Sequence, residues 1–579
     1  MQRTPLICLL LALSLLSASA LWAQQVPVQE YALSNGLKLL MVPKKGDPNV
    51  AAGWIAKVGS VNERPGITGL SHLFEHMMFK GTHVIGTKDI KKDMAAMERM
   101  DAVKAEIRKE EQAQIQRLRL GEISDLKDPK NRTARHKELL EELAKLEKEQ
   151  KDLLVKNEFD KIYTSAGASG MNAGTTEDFT VYFINVPANK LELWFWMESD
   201  RLLNPVFREF YSERDVVHEE RRLRTDSTPT GKFQEEFNAL FWTSSPYGWP
   251  VVGWPSDLDG LTREEALGYF ALNYAPNNVT ACLVGDFDPV RAKELADLYF
   301  GRLKRYPQPQ PPVRTREVEQ PAEKRMVAYA ETNPEVQIRY HTVADGHKDE
   351  PALSVLGSLL SGRTGRLYKS LVLDQKVANS AGAGQNGQKW EGYFMLNGVA
   401  KPGFKPEQAE QALYKEIEKL QKEKVGEREI QKVKNQYAAG NFRRLQSNFA
   451  LMLQLLIADN NRGWQSFNED PKKLEAVTVD DIQRVANQYF KPENRAVALY
   501  YTKKSEGGEE DPLLTGLSDE EKAQVRQFRG MMAQIPKDKA QAILQQLEQQ
   551  ESAAPPEKKK VLAAIKKLLQ EKILKDGGK

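Results

Sequence analysis

The chain is poor in cysteine and histidine: two cysteines, Cys8 and Cys282, and seven histidines stand among 579 residues. Two cysteines exclude a disulfide framework. Net charge is almost absent, since 83 basic and 80 acidic side chains leave only +3. That total gives no reason to expect nucleic acid as a partner. The apolar run Leu6 to Leu16 falls short of the ~20 residues that span a bilayer. What is present is globular text, 41% apolar and 28% charged, which excludes wholesale disorder and collagen-like structure. At roughly 100–200 residues per domain, the length allows three or four domains.

The first residues read as an address. Met1-Gln-Arg carries one cation, Leu6 to Leu16 is apolar, and Ser17 to Ala20 supplies small residues. This is the order of a secretory signal peptide, here over residues 1–23, with cleavage after Ala20 or Ala23. An exported protein is expected, and the bacterial periplasm suits the leader. Cys282 is then the only thiol.

Along the mature chain, Asn35-Gly36 between apolar runs signals a β-hairpin. A second β-like run covers Asn49 to Val58, and a helix is expected from about Ile67 to Phe79. Residues 101–160 differ in kind, with 14 basic and 15 acidic side chains. Leu139, Leu143, Leu146 and Leu153 form a stripe, and Val103, Ile107, Ile115 and Leu118 form another. An antiparallel helical hairpin projecting into solvent fits this pattern, with its turn at Asp125 to Thr133. Its role is read as a solvated insertion rather than a docking arm. Residues 162–186 read as strands, 191–203 and 209–225 as helices, and 278–286 as a strand. Prolines 307, 309, 311, 312 and 321 mark a linker over 306–324. A second strand–helix mixture covers 325–503. Beyond it, residues 504–579 form a helical tail. The apolar face of its last helix carries Val561, Leu562, Ile565, Leu568, Leu569 and Ile573, and is expected to dock on the protein rather than on a membrane.

The stretch that carries chemistry is Gly69-Leu-Ser-His72-Leu-Phe-Glu75-His76. On a helix, His72 and His76 share a face, so both imidazoles reach one ion. Glu75 lies on the flank of that face, where it reaches a water beside the ion rather than the ion itself. A zinc hydrolase needs this arrangement: the ion acidifies water, and the carboxylate takes the proton and passes it to the leaving amine. H-x-x-E-H is the inverse of the commoner H-E-x-x-H. With so few histidines its chance occurrence is rare. A catalytic zinc takes a third protein ligand. In Tyr211 to Glu220, the residues Glu213, Val216, Val217 and Glu220 fall on one helix face, which the valines mark as buried. A buried carboxylate needs a partner, so Glu220 is preferred over Glu219 as third ligand. Glu213, two turns earlier, suits a supporting role behind a ligand or the water.

These residues resemble the insulinase or pitrilysin-type zinc metallopeptidases, which include the mitochondrial processing peptidase β subunit. The matching text includes Gly59-Ser-Val-Asn-Glu63, the H-x-x-E-H stretch through Lys80-Gly81-Thr82, and Asn172-Ala173. It continues with Glu213 to Glu220, Pro246-Tyr-Gly248, Tyr274 to Asn278 and Gly285 to Pro289. The resemblance covers about residues 28–503, most strongly in the first half. It implies His72, His76 and Glu220 as zinc ligands, Glu75 as general base and Glu213 as supporting carboxylate. It also implies that the strand at Asn172 and Ala173 pairs with the substrate backbone. The implied fold is α+β: two homologous α/β-sandwich units, 28–305 and 325–503, forming half of a clamshell.

Two departures stand out. The 144 positions between His76 and Glu220 exceed the family spacing by about the length of the charged hairpin, so an insertion accounts for them. Active clamshells of this family carry an Arg and a Tyr seven apart in the second unit, which hold substrate over the zinc. Val372 and Asn379 occupy those places here, and valine donates no hydrogen bond. The expectation is therefore a zinc metalloendopeptidase acting on peptides, paired with a homologous chain that supplies the Arg and Tyr, or with a second copy of itself. A non-catalytic assembly subunit is the competing reading.

Overall fold

The computed structural model describes residues 25–503, 513–532, 535–553 and 555–575. The expected signal peptide lies outside them. In the first unit, β1 (Gln29–Ala32), β2 (Lys38–Pro43) and β3 (Asn49–Ala56) lead to helix α1 (Leu70–Met77). Helices α2 (Ile90–Arg119) and α3 (Ala134–Leu153) follow, then β4 (Ser169–Thr175) and β5 (Thr180–Pro187). Helices α4 (Leu191–Leu203), α5 (Phe210–Arg221) and α6 (Gly231–Phe241) precede β6 (Val279–Gly285). The six strands form one sheet in the order β1-β2-β6-β3-β5-β4.

The second unit begins with β7 (Lys324–Ala330) and β8 (Glu335–Thr342), then α7 (Glu350–Leu360), β9 (Ala378–Gly387) and β10 (Gly392–Ala400). Helices α8 (Pro406–Lys422), α9 (Glu427–Gln446) and α10 (Asn448–Asn461) lead toward β11 (Arg495–Thr502). Its sheet order is β7-β11-β8-β10-β9. Strand for strand this repeats β2-β6-β3-β5-β4, including the one parallel pair in each sheet, β2 with β6 and β7 with β11. The fold is α+β, with two α/β sandwiches of one topology.

The sandwiches cover each other. One face of the first sheet carries that unit's own core, including Trp54, Tyr182 and Trp194. Its other face is closed by α10 from the second unit, whose Leu451, Met452, Leu455 and Leu456 pack on Leu40, Ile55 and Cys282. In return, Phe237 and Phe241 of α6 pack on Met326, Ala498 and Tyr500 of the second sheet. Burying the four α10 side chains is worth about 6–12 kcal/mol, as an upper estimate. The segment expected as a linker is held in place: Glu317 accepts the backbone N–H groups of Thr243, Ser244 and Ser245.

The hairpin α2–α3 begins earlier than its charge pattern indicates, because Asp89 caps α2 by accepting from the N–H groups of Lys91 and Lys92. Thr133 caps α3. Met97, Met100, Val103, Ile107, Leu139, Leu143 and Leu146 zip the pair, while Ile115 is exposed. The base of the hairpin is not solvated. Val206 closes its core, and Asp101 accepts from the Tyr211 hydroxyl. Residues 162–165, expected as the start of the strand text, complete a helix over Glu158–Ser165. The tail folds as α11 (Asp519–Met532), α12 (Lys537–Ala553) and α13 (Pro556–Lys575). Val561, Ala564 and Leu568 of α13 are buried with Leu514, Leu517 and Val525. No helix among the described residues is long and apolar enough to cross a membrane.

Candidate active site

Helix α1 is aimed by its first turn. Gly69 precedes it at φ 88°, and a Cβ there would sit 2.5 Å from the Val252 carbonyl oxygen, so only glycine fits. The Glu63 carboxylate accepts from the N–H groups of Gly69 (2.8 Å) and Ser71 (2.6 Å), satisfying donors that a helix start leaves unpaired. Burial pushes the Glu63 carboxyl up to about 8, with those two N–H groups pulling the other way. Leu70, Leu73, Phe74 and Met77 sink into the core. That packing leaves the face of His72 and His76 turned toward α5, with the two rings 5.0 Å apart.

Helix α5 is fixed at its start by Arg208. This fully buried guanidinium pairs with Asp93 of α2 and donates to the carbonyls of Lys80 (3.1 Å), Ile85 (3.0 Å) and Thr82. One side chain thus ties the loop after α1, the hairpin and the start of α5 together. Along α5, Glu213 and Val217 are buried and Glu220 is partly buried. Val216, expected on the same face, is 47% exposed. It lies one position off the row formed by Glu213, Val217 and Glu220, on the flank that meets solvent. Glu219 is exposed and paired with Arg222, and His218 pairs with Asp259 at 3.0 Å, so neither reaches the site.

His72, His76 and Glu220 come together. His72 Nε2 lies 3.6 Å from Glu220 Oε1, and His76 Nε2 lies 3.3 Å from Glu220 Oε2. The three donor atoms all fall within 4.8 Å of one another. Ligands bonded tetrahedrally to zinc at ~2.0–2.1 Å stand about 3.3–3.4 Å apart, so this donor set fits the ion. The charge distribution fits as well. The imidazoles of His72 and then His76 beside it hold the Glu220 carboxyl far below the usual range. Burial lowers His76, but Glu213 and Glu220 outweigh it and raise the imidazole to about 9. The carboxylates demand a positive charge at this point, which a divalent cation would satisfy.

Glu213 stands behind His76, its Oε1 3.2 Å from Nδ1, and pairs on its other side with Lys80. This fixes the ring so that Nε2 faces Glu220. Burial pushes Glu213 up, but the His76 and Lys80 contacts dominate and hold it low. Glu75 opens onto a cleft of about 390 Å³ beside His76, walled by Phe79, Lys80, Asn157, Phe159 and Glu209. Asn157 and Phe159 belong to the segment that returns from the hairpin. The cleft's outer wall is therefore supplied from the hairpin's return.

Asn172 and Ala173 lie in β4, the edge strand, opposite Phe183 and Tyr182 of β5. Asn172 is exposed and its Oδ1 accepts the Ala173 N–H at 2.9 Å. Among the described residues no strand pairs with the outer side of β4. Asn379 is exposed at the start of β9, and Val372 is packed against the second core. Sequence reasoning missed Arg208 and Lys80, and quoted Glu63 without giving it a task. An acid six residues before a glycine-led helix was the available signal for Glu63.

Residues 39–114 match the family model Insulinase (Peptidase family M16), and residues 260–437 match Peptidase M16 inactive domain. The chain is 27% identical over 473 residues to the zinc protease PqqE of Helicobacter pylori, covering 80% of this chain and 90% of that protein. It is 20% identical over 485 residues to the uncharacterized zinc protease YmxG of Bacillus subtilis, covering 82% and 98%. Among solved structures, the crystal structure of a protease from Helicobacter pylori superposes with a TM-score of 0.67 at 24% identity, covering 82% of this chain and all of that one.

Proposed function

The chain belongs to the insulinase family of peptidases (family M16), and from that premise we propose that it is a zinc metalloendopeptidase. It cleaves peptides or unfolded segments inside a clamshell chamber. The observation that carries this reading is the convergence of His72, His76 and Glu220 beside Glu75. When bound, zinc supplies Lewis acidity toward a water and a peptide carbonyl. The proton steps belong to the protein. Glu75 accepts a proton from the attacking water and delivers it to the leaving amine nitrogen. Glu213 holds the His76 ring, and Lys80 offsets the carboxylate's charge. The free edge of β4 at Asn172 and Ala173 takes the substrate as an added strand, with main-chain hydrogen bonds that accept many sequences.

Val372 and Asn379 leave the second unit without the family's substrate-holding pair. On that ground the working enzyme is a heterodimer with a homologous chain that supplies Arg and Tyr, or else a homodimer. The leader-like order of residues 1–23 supports export, to the periplasm of a bacterium.

The test is Glu75→Gln in the full chain, assayed with its partner on fluorogenic peptides and by metal analysis. Turnover is expected to fall by about 10²–10⁴-fold with zinc retained, whereas His76→Ala is expected to lose the zinc. Wild-type turnover by Glu75→Gln would overturn the mechanism. Full activity of the purified chain alone would overturn the partner. A non-catalytic assembly subunit is the second reading, favoured by the match of residues 260–437 to an inactive domain. Absence of zinc from purified protein would support it.

A further inference from the structure

The repeated topology places α7 in the second unit where α1 stands in the first, and α9 where α5 stands. Between α7 and α9 lies a cleft of about 1120 Å³, in the place that the metal cleft holds in the first unit. Its chemistry is reversed. Arg363, Arg366 and Lys369 come from the segment after α7, and Arg428 and Lys432 from the first two turns of α9. The one carboxylate that lines it, Glu429, is paired with Arg366 at 2.6 Å. Arg363, Lys369, Arg428 and Lys432 are exposed. Arg366 Nε is shielded from water and has no hydrogen-bond partner among the described residues.

Arg366 is held by Glu429, and Lys432 donates to the Thr364 hydroxyl at 2.6 Å, but Arg363, Lys369 and Arg428 make no ion pair or side-chain hydrogen bond among the described residues. The start of a helix is the positive end of its dipole, so Arg428, in the first turn of α9 between Glu427 and Glu429, stands where the backbone disfavours positive charge. It also shares the cleft with four other cations, where like charges repel. Five cations lining one cleft against a single lining carboxylate point to an anion from outside. The apolar lining from Leu359, Val433 and Ala439 and the cleft's volume suit a stretch of chain better than a small ion.

We propose that this cleft binds an acidic stretch of polypeptide, holding substrate by a segment remote from the scissile bond. The inference rests on the peptidase reading above. It gives the two clefts separate tasks: the first, beside Glu75 and His76, receives the bond to be cut, and the second anchors negative charge carried elsewhere on the substrate.

The experiment uses the full chain carrying Glu75→Gln, so that nothing is cleaved. Fluorescence anisotropy measures binding of labelled oligoglutamate, a Gly-Ser peptide of equal length, and oligothymidylate. Oligoglutamate is expected to bind at least about tenfold more tightly than the Gly-Ser peptide, with the preference shrinking as salt rises. Arg363→Glu with Arg428→Glu is expected to remove most of that preference. The milder Arg363→Gln with Arg428→Gln, which leaves no new charge to disturb α9, is expected to remove part of it. Equal binding of the two peptides overturns the proposal, as does a preference that survives both double variants. Tighter binding of oligothymidylate through the same arginines also overturns it, in favour of a nucleic-acid site. Because no turnover is read, an inactive wild-type chain would defeat the peptidase reading alone. Loss of the acidic preference in an active chain would defeat this inference alone.

Discussion

The two sandwiches share a strand order but treat the space beside their edge strand differently. In the first, α1 turns two imidazoles toward α5, and the cleft beside them is walled by residues that return from the helical hairpin. In the second, α7 lies hard against β9. A Cβ on Gly357 would stand 3.0 Å from Gly384 Cα and 3.3 Å from Gln385 N, which is tighter than packed atoms accept. Helix α1 carries two histidines and a glutamate besides its core residues, whereas α7 has no histidine and buries Leu353, Leu356 and Leu360 in the second core. One topology therefore supports a candidate metal site in one unit and a basic cleft without histidine in the other. The choice lies in a few side chains and in how closely a helix approaches a strand, which is why fold alone does not settle function.

The contrast can be tested from each side. The largest expected effect is at Glu213 in the first unit. Glu213→Gln keeps the shape but removes the charge shared by His76 and Lys80, so zinc affinity or peptidase activity should fall by about 10–100-fold. Metal titration of the full chain reads this, and an unchanged affinity would remove Glu213 from the site's support. In the second unit, Gly357→Ala should destabilise by about 1–3 kcal/mol because α7 has no room to move off β9. At an open helix position the same change would stabilise by roughly 0.5–1 kcal/mol. Urea unfolding decides the sign, and a gain in stability would mean that the second cleft is looser than its packing indicates.

The smallest effect concerns what joins the units. Asp459 of α10 is fully buried and takes Lys38 (2.7 Å), Lys57 (2.8 Å) and the Thr280 hydroxyl (2.7 Å) from the first unit. Burial pushes its carboxyl up, but the lysines and the hydroxyl prevail and hold it below its ordinary 3.8. A depressed carboxylate stabilises above its unfolded value and loses that contribution as pH falls through the lower folded one. Asp459→Asn should therefore cost about 1 kcal/mol at neutral pH. The difference from wild type should close below about pH 4. Thermal melts across that range check it, and a pH-independent difference would sink the assignment.

Much of the candidate metal site was legible because it is local. His72, Glu75 and His76 sit within five residues, and helical spacing alone aims them. Glu220 could be chosen over Glu219 by the same periodicity, although Val216 shows the limit of that argument, since a flank position can face solvent. Arg208 was not legible. Its partners Asp93, Lys80, Thr82 and Ile85 lie more than a hundred residues away, and nothing in the text around it marks a buried cation. The hairpin's helices were legible from their leucine stripes. Its docked base was not, because Val206 and Tyr211 are contributed by another element.

By itself the sequence determined the chemistry on offer: two imidazoles and a carboxylate on one helix, a charged hairpin, and two stretches of strand–helix text without disulfides. Those follow from spacing along the chain, which periodicity converts into faces. Only the tertiary structure decided that α5 returns Glu220 to that helix, that Arg208 locks the two together, and that each sheet is closed by a helix from the other unit. The reason is physical. Apolar faces and buried charges must find partners, but nothing in a local stretch says which distant segment will supply them.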